Sequence, residues 1–187
     1  TTSAREWLAT HDRWLDWSGA VRGRAESHLL RARIHQLERD LQVAERDANE
    51  ALRAASEPRQ PLVLIEIHRL LGQLRMDQHD FAEVKAHLTH AMTLSDTCQS
   101  PFQRGWTLFV LADLSCRMGR EQDAQLALEE ARTIATALDA GPLLAAIDEL
   151  NARPARRADG FNLTSREIDV LRLVAEGLTD AEVAERL

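Results

Sequence analysis

The residues able to do chemistry are few, and their spacing argues against catalysis. His87 and His90 stand three apart, so on a helix both imidazoles share a face and could approach one metal ion. No third ligand at matching spacing accompanies them. Their counterparts forty residues earlier are Asp47 and Glu50, ordinary polar surface types, which assigns the pair to a solvated helix face. His28 and His68 share one position of the same forty-residue register and read as packing between helices. Cys98 and Cys116 lack metal-ligand spacing and lie in apolar helical contexts, so both are expected as free thiols. There is no G-x-x-x-x-G-K-S/T motif, and the eight glycines are scattered, so nothing in the sequence cradles phosphate. No nucleophile, base and orienting acid assemble by motif. The expectation is a protein that is not an enzyme and holds no metal or cofactor. Trp106 and Phe109, three apart on one helical face, could stack on a sugar ring or a peptide side chain, or could simply be core.

The elements that position these residues follow from a repeat. Of 187 residues, 44% are hydrophobic, 28% charged and 4% aromatic, the balance of a mostly helical chain with ample core. No apolar run reaches membrane-spanning length and no secretory leader is evident, so the chain reads as cytoplasmic with no membrane partner. Self-similarity appears at a period of 40: Ala32, Gly72 and Ala112 align, as do Ala44, Val84 and Ala124, then Ala48, Leu88 and Leu128, then Ala51, Ala91 and Ala131. Asp40 and Asp80 are suited to cap each second helix. Gly119 suits a helix end, and Pro61, Pro101 and Pro142 suit helix starts. Residues 3–17 fall in register with a second helix, repeats span about 24–60, 61–100 and 101–140, and 142–153 reads as a closing helix. Trp7, Trp14 and Trp17 gather on the first helix, an apolar edge through which self-association is expected.

This spacing of small and bulky residues resembles the tetratricopeptide (TPR) repeat, lengthened by six residues placed in longer helices or in the loops near Pro61 and Pro101. The resemblance implies an all-α solenoid of antiparallel helix pairs whose first helices line a concave face. Carried onto this sequence, that lining is Glu26, Glu66 and Trp106, then Leu29, Arg69 and Phe109, then Arg33, Gln73 and Asp113. Together these nine residues form the candidate groove for a small-molecule effector or a protein. A solvated surface over a packed aromatic pair is the alternative.

Beyond a linker at 154–162, the last 25 residues read LTSREIDVLRLVAEGLTDAEVAERL. Thr164 with Glu167, and Thr179 with Glu182, form two capping boxes, and Gly177 ends the helix between them. The stretch resembles the C-terminal helix-turn-helix (HTH) of the LuxR family of bacterial transcription regulators, with its L-T-x-R-E start, V-L-x-L-V-A-x-G-L core and following helix. Asp180 stands where that family more often has Asn. The resemblance implies DNA as partner, with Thr164, Arg166 and Thr179 as backbone contacts. The chain is expected to stop before the helix that reads DNA. Three Arg against six acids from Leu163 to Leu187, and a net charge of −7 overall, make this fragment a poor polyanion ligand by itself. Arg153, Arg156 and Arg157 form a basic cluster ahead of it. The order of an array and an HTH resembles the large MalT-like ATP-dependent regulators, which would place ATP binding in a missing N-terminal module. The sequence thus points to a fragment of a LuxR-type regulator whose array senses a ligand or partner; the alternative is a TPR-like scaffold without a DNA role.

Overall fold

Small residues at fixed intervals decide how this chain folds back on itself. The computed structural model describes residues 2–78 and 80–152, together with Val170 and Leu173. Eight α-helices run in order among them: α1 (Thr2–Ser18), α2 (Arg24–Leu37), α3 (Leu41–Ser56), α4 (Pro61–Asp77), α5 (Phe81–Thr97), α6 (Pro101–Arg117), α7 (Glu121–Ala137) and α8 (Gly141–Ala152). No strand occurs among the described residues, and none of these helices is long and apolar enough to cross a membrane. The expected half repeat at 3–17 and closing helix at 142–153 correspond to α1 and α8. Val170 and Leu173 are helical and half-buried. The linker and the HTH contacts Thr164, Arg166 and Thr179 lie outside the described residues.

One period consists of two 17-residue helices and two three-residue joints, as α4 to α7 show. Most of the forty-residue period is therefore helix, and the joints are short. The joints are built alike. The N–H groups of Asp40, Asp80 and Arg120 donate to the carbonyls of His35, Arg75 and Ser115, at 3.0, 3.2 and 2.9 Å. Those of Gln60, Ser100 and Ala140 donate to Ala55, Ser95 and Ala135, at 2.8, 3.0 and 2.8 Å. These bonds reach back five residues and satisfy carbonyls that each helix end leaves without an internal partner. A left-handed residue closes four of these joints, Gly119 at one (φ 70°) and Arg39, Gln99 and Asp139 with side chains at the others (φ 65°, 49° and 49°), whereas the joint before Gln60 has none.

Asp40 and Asp80 cap as expected, each carboxylate accepting from the N–H three residues on, Val43 and Glu83, at 3.3 Å. Arg120 holds the same place before α7 and supplies no side-chain cap. Asp80→Ala is expected to cost about 0.5–2 kcal/mol, and Arg120→Asn to gain about 0.5–1 kcal/mol, because only the second change adds an acceptor for an orphan amide. Urea midpoints of the two variants that moved in the same direction would contradict this account.

Consecutive helices pack most extensively within the pairs α2–α3, α4–α5 and α6–α7. Glycine sets the approach at two crossings. A Cβ at Gly72 would lie 3.1 Å from Leu88 Cδ2, and one at Gly105 would lie 2.9 Å from Leu143 Cδ2 and 3.3 Å from Ile134 Cγ2. Around these crossings the cores run on from pair to pair. Ala44, Ala48, Leu70 and Leu74 lie in one cluster, Val84, Leu88, Val110 and Leu114 in the next, and Leu128, Leu143, Ile147 and Leu150 in the last. First helices also approach closely across repeats, α2 with α4, α4 with α6 and α6 with α8, whereas the backbones of successive second helices stay apart. The array therefore curves, with α2, α4, α6 and α8 on its inner side.

Candidate functional site

The inner seam is where the charged residues of the first helices meet. Arg33 on α2 pairs with Glu66 Oε2 on α4 at 2.7 Å. Gln103 on α6 donates from Nε2 to Glu66 Oε1 at 3.0 Å. Arg69, one turn further along α4, donates from Nη1 to Gln103 Oε1 at 2.8 Å. A polar chain Arg33–Glu66–Gln103–Arg69 thus crosses three repeats on the inner side. Its last member is unusual. Arg69 is only 7% exposed, and its side-chain partner is a neutral amide rather than a carboxylate. Burial pulls its pKa down to about 10, with the neighbouring Arg33 charge adding to that and Glu66 opposing it, so at neutral pH it remains a buried cation. On α2, Glu26 Oε2 is buried without a protein hydrogen bond. The first helices thus hold one buried carboxylate oxygen without a protein hydrogen bond, on Glu26, and one buried guanidinium hydrogen-bonded to a neutral side chain, on Arg69.

The other lining candidates fall into place around this chain. Leu29 is buried in the core beside Ala25 and Ala32, so it does not present to the groove. Trp106 and Phe109 meet edge to face, ring centroids 5.8 Å apart at 87°, and both are half-buried against the α6–α8 core. Phe109 reaches a second core cluster as well. Packing is therefore their principal role. Gln73 is half-buried on α4. Asp113 accepts from Arg117 Nε at 3.1 Å, and Arg117 Nη1 reaches Asp77 at 3.3 Å, a polar bridge at the far end of the seam. Sequence reasoning omitted Gln103. Its register mates Val63 and Leu143 are apolar, and an amide standing alone in an apolar row was the available signal.

The histidines assemble differently from the sequence reading. α4 brings His68 against both His87 and His90: His68 Nδ1 and His87 Nδ1 are 3.0 Å apart, and the His68 ring centroid lies 5.3 and 5.1 Å from those of His87 and His90. A third imidazole therefore does accompany the pair; His90 is exposed, as expected, whereas His87 is half-buried. Among the described residues no group of three His, Cys, Asp or Glu is arranged to hold a metal ion. The close contact needs one Nδ1 to donate and the other to accept, which only a neutral ring can do. Burial first, and then the charges of His87 and His90, hold the His68 pKa down to about 4; burial is also the chief cause of a lowered value at His87. Both cysteines are free and half-buried, and burial together with Asp113 and Glu121 pushes the Cys116 thiol up, away from nucleophilic use.

No protein-family model matches this sequence, and no curated protein matches it.

Proposed function

We propose that this chain is the sensing array, and the opening part of the DNA-binding domain, of a LuxR-type bacterial transcription regulator. A TPR-like array takes a carboxylate or phosphate group of an effector or protein partner on its inner seam and thereby controls promoter binding by the C-terminal HTH. Arg69 is the observation that carries the sensing role. Burying a guanidinium against a neutral amide costs several kcal/mol that an apolar side chain would not incur, and an incoming anion would supply the missing charge. Because the chain from Arg33 to Arg69 ties α2, α4 and α6 together, an anion that re-pairs it shifts the array between curvatures, a population shift that the HTH can read. The DNA role rests on the residue pattern from Leu163 to Leu187.

Two measurements test the two halves. Arg69→Met is expected to leave Tm unchanged or to raise it, because the cost of keeping the guanidinium out of water goes with it. A clear fall in Tm would make the guanidinium structural and remove the sensing site. For the DNA half, anisotropy of duplex DNA from the protein's own upstream region compares this chain with one extended by about 35 residues, enough to complete a four-helix reader. Binding by the extended chain that weakens with added salt is the expected result. If neither chain binds, the array is a docking scaffold.

A further inference from the structure

The two ends of the array are finished differently. At the C-terminal end α8 covers the pair α6–α7, and the positions that in α4 and α6 face the next helices are Ala145, Asp148, Glu149 and Ala152, all exposed. At the N-terminal end the equivalent covering helix is lacking among the described residues. There an open groove of about 660 Å³ runs between α1 and α2, lined chiefly by Ala4, Trp7, Leu8, Leu30, Ile34 and Leu37.

The register says what this groove is. Ala4 and Leu8 occupy the places of Ala44 and Ala48, of Val84 and Leu88, and of Ala124 and Leu128. Leu30 and Ile34 occupy those of Leu70 and Leu74, and of Val110 and Leu114. In the later pairs these positions form the core beneath a first helix: α2 covers them on α3 and α4, and α4 covers them on α5 and α6. Leu30 is 42% exposed, while Leu70 and Val110 are each 2% exposed. Trp7, 62% exposed, walls the groove and stacks on His11 at 5.3 Å and 7°, and His11 stacks on Trp14.

We infer that the groove between α1 and α2 is the seat of one further helix of the first-of-pair type, antiparallel to α1 and supplied by a polypeptide segment outside these residues. Its chemistry is set by the helices that fill the same seat elsewhere. It is amphipathic, with a small residue where Ala32, Gly72 and Ala112 stand, to approach Leu8 as Gly72 approaches Leu88. Seven residues earlier it carries a small or apolar one, as at Ala25, Ile65 and Gly105, to meet Trp14 and Gly23. A second copy of this chain is the poorer occupant. Its α2, α4 and α6 are already engaged within their own pairs, and the outward side of α8 carries Asp148 and Glu149.

The test grafts a copy of residues 24–40, α2 with its joint, ahead of Thr1 in the full chain. Because each stacked unit adds an interface to a repeat array, the graft is expected to raise Tm by about 5 °C or more and to shield tryptophan from iodide quenching. Leu30→Asp in the native α2, at a position already partly exposed, should abolish that rise. A graft that leaves Tm and quenching unchanged, or a rise that survives Leu30→Asp, would overturn the inference. So would sedimentation of the ungrafted chain as a dimer that Leu30→Asp dissociates, which would give the groove to a second copy.

Discussion

Gly72→Val and Leu88→Ala should each destabilise the protein, yet together they should cost clearly less than the sum of their separate effects. Leu88 is fully buried between α5 and its neighbours, so its truncation leaves a cavity and costs about 2–5 kcal/mol. At Gly72 any Cβ lies 3.1 and 3.2 Å from Leu88 Cδ2 and Cγ, and a valine overpacks the crossing at about 1–3 kcal/mol. The space vacated by Leu88 is the space the valine requires. A double-mutant cycle from urea midpoints should therefore give a coupling of about 0.5–3 kcal/mol. Strict additivity would mean that the glycine does not set the distance between α4 and α5.

Acid should weaken the fold through the histidine cluster, beginning well above the range where carboxylates titrate. In the unfolded chain His68 binds a proton near its ordinary value of 6.5, whereas in the fold it does so only near 4. Between those values the unfolded state holds more protons, so stability is fully present above about pH 6.5 and drains away as the pH falls toward 4. The lowered value at His87 acts in the same direction. His68→Leu isolates the effect, because Leu108 already occupies the same register position, buried, in the next repeat. Thermal unfolding followed by circular dichroism at pH 7 and pH 5 should show a smaller loss of Tm in the variant than in the parent. Equal losses would show that the cluster plays no part in acid sensitivity.

The helical array was legible because small residues, caps and prolines recur at one interval, and a helix crossing leaves a signature in residue size. Ala32, Gly72 and Ala112 mark such crossings directly, and Asp40 and Asp80 announce the helices they cap. The site was harder to read. Register can place Glu66 and Arg69 on the inner side, but it cannot say that Gln103 rather than an acid meets Arg69, since that depends on side chains crossing between α4 and α6. The histidines escaped for a related reason. His68 is nineteen residues from His87, and only folding α4 back onto α5 sets the turn before Gly72 opposite the turn around Leu88. His90 is exposed like its register mate Glu50, as read, but His87 looked solvated because its mate Asp47 is acidic, although Asp47 itself sits half-buried beside His35 at 2.8 Å.

That the backbones of successive second helices stay apart has a mechanical consequence. Changing the bend of the array compresses or stretches the inner row and shears the contacts α3–α4, α5–α6 and α7–α8 that also join repeats; on the outer side α3, α5 and α7 have no close packing on one another to lose. Resistance to bending is thus unequal across the array, greater on its inner side, much as in a leaf spring clamped along one edge. Two polar links, Arg33 to Glu66 and Gln103 to Arg69, lie in that inner row beside its packing.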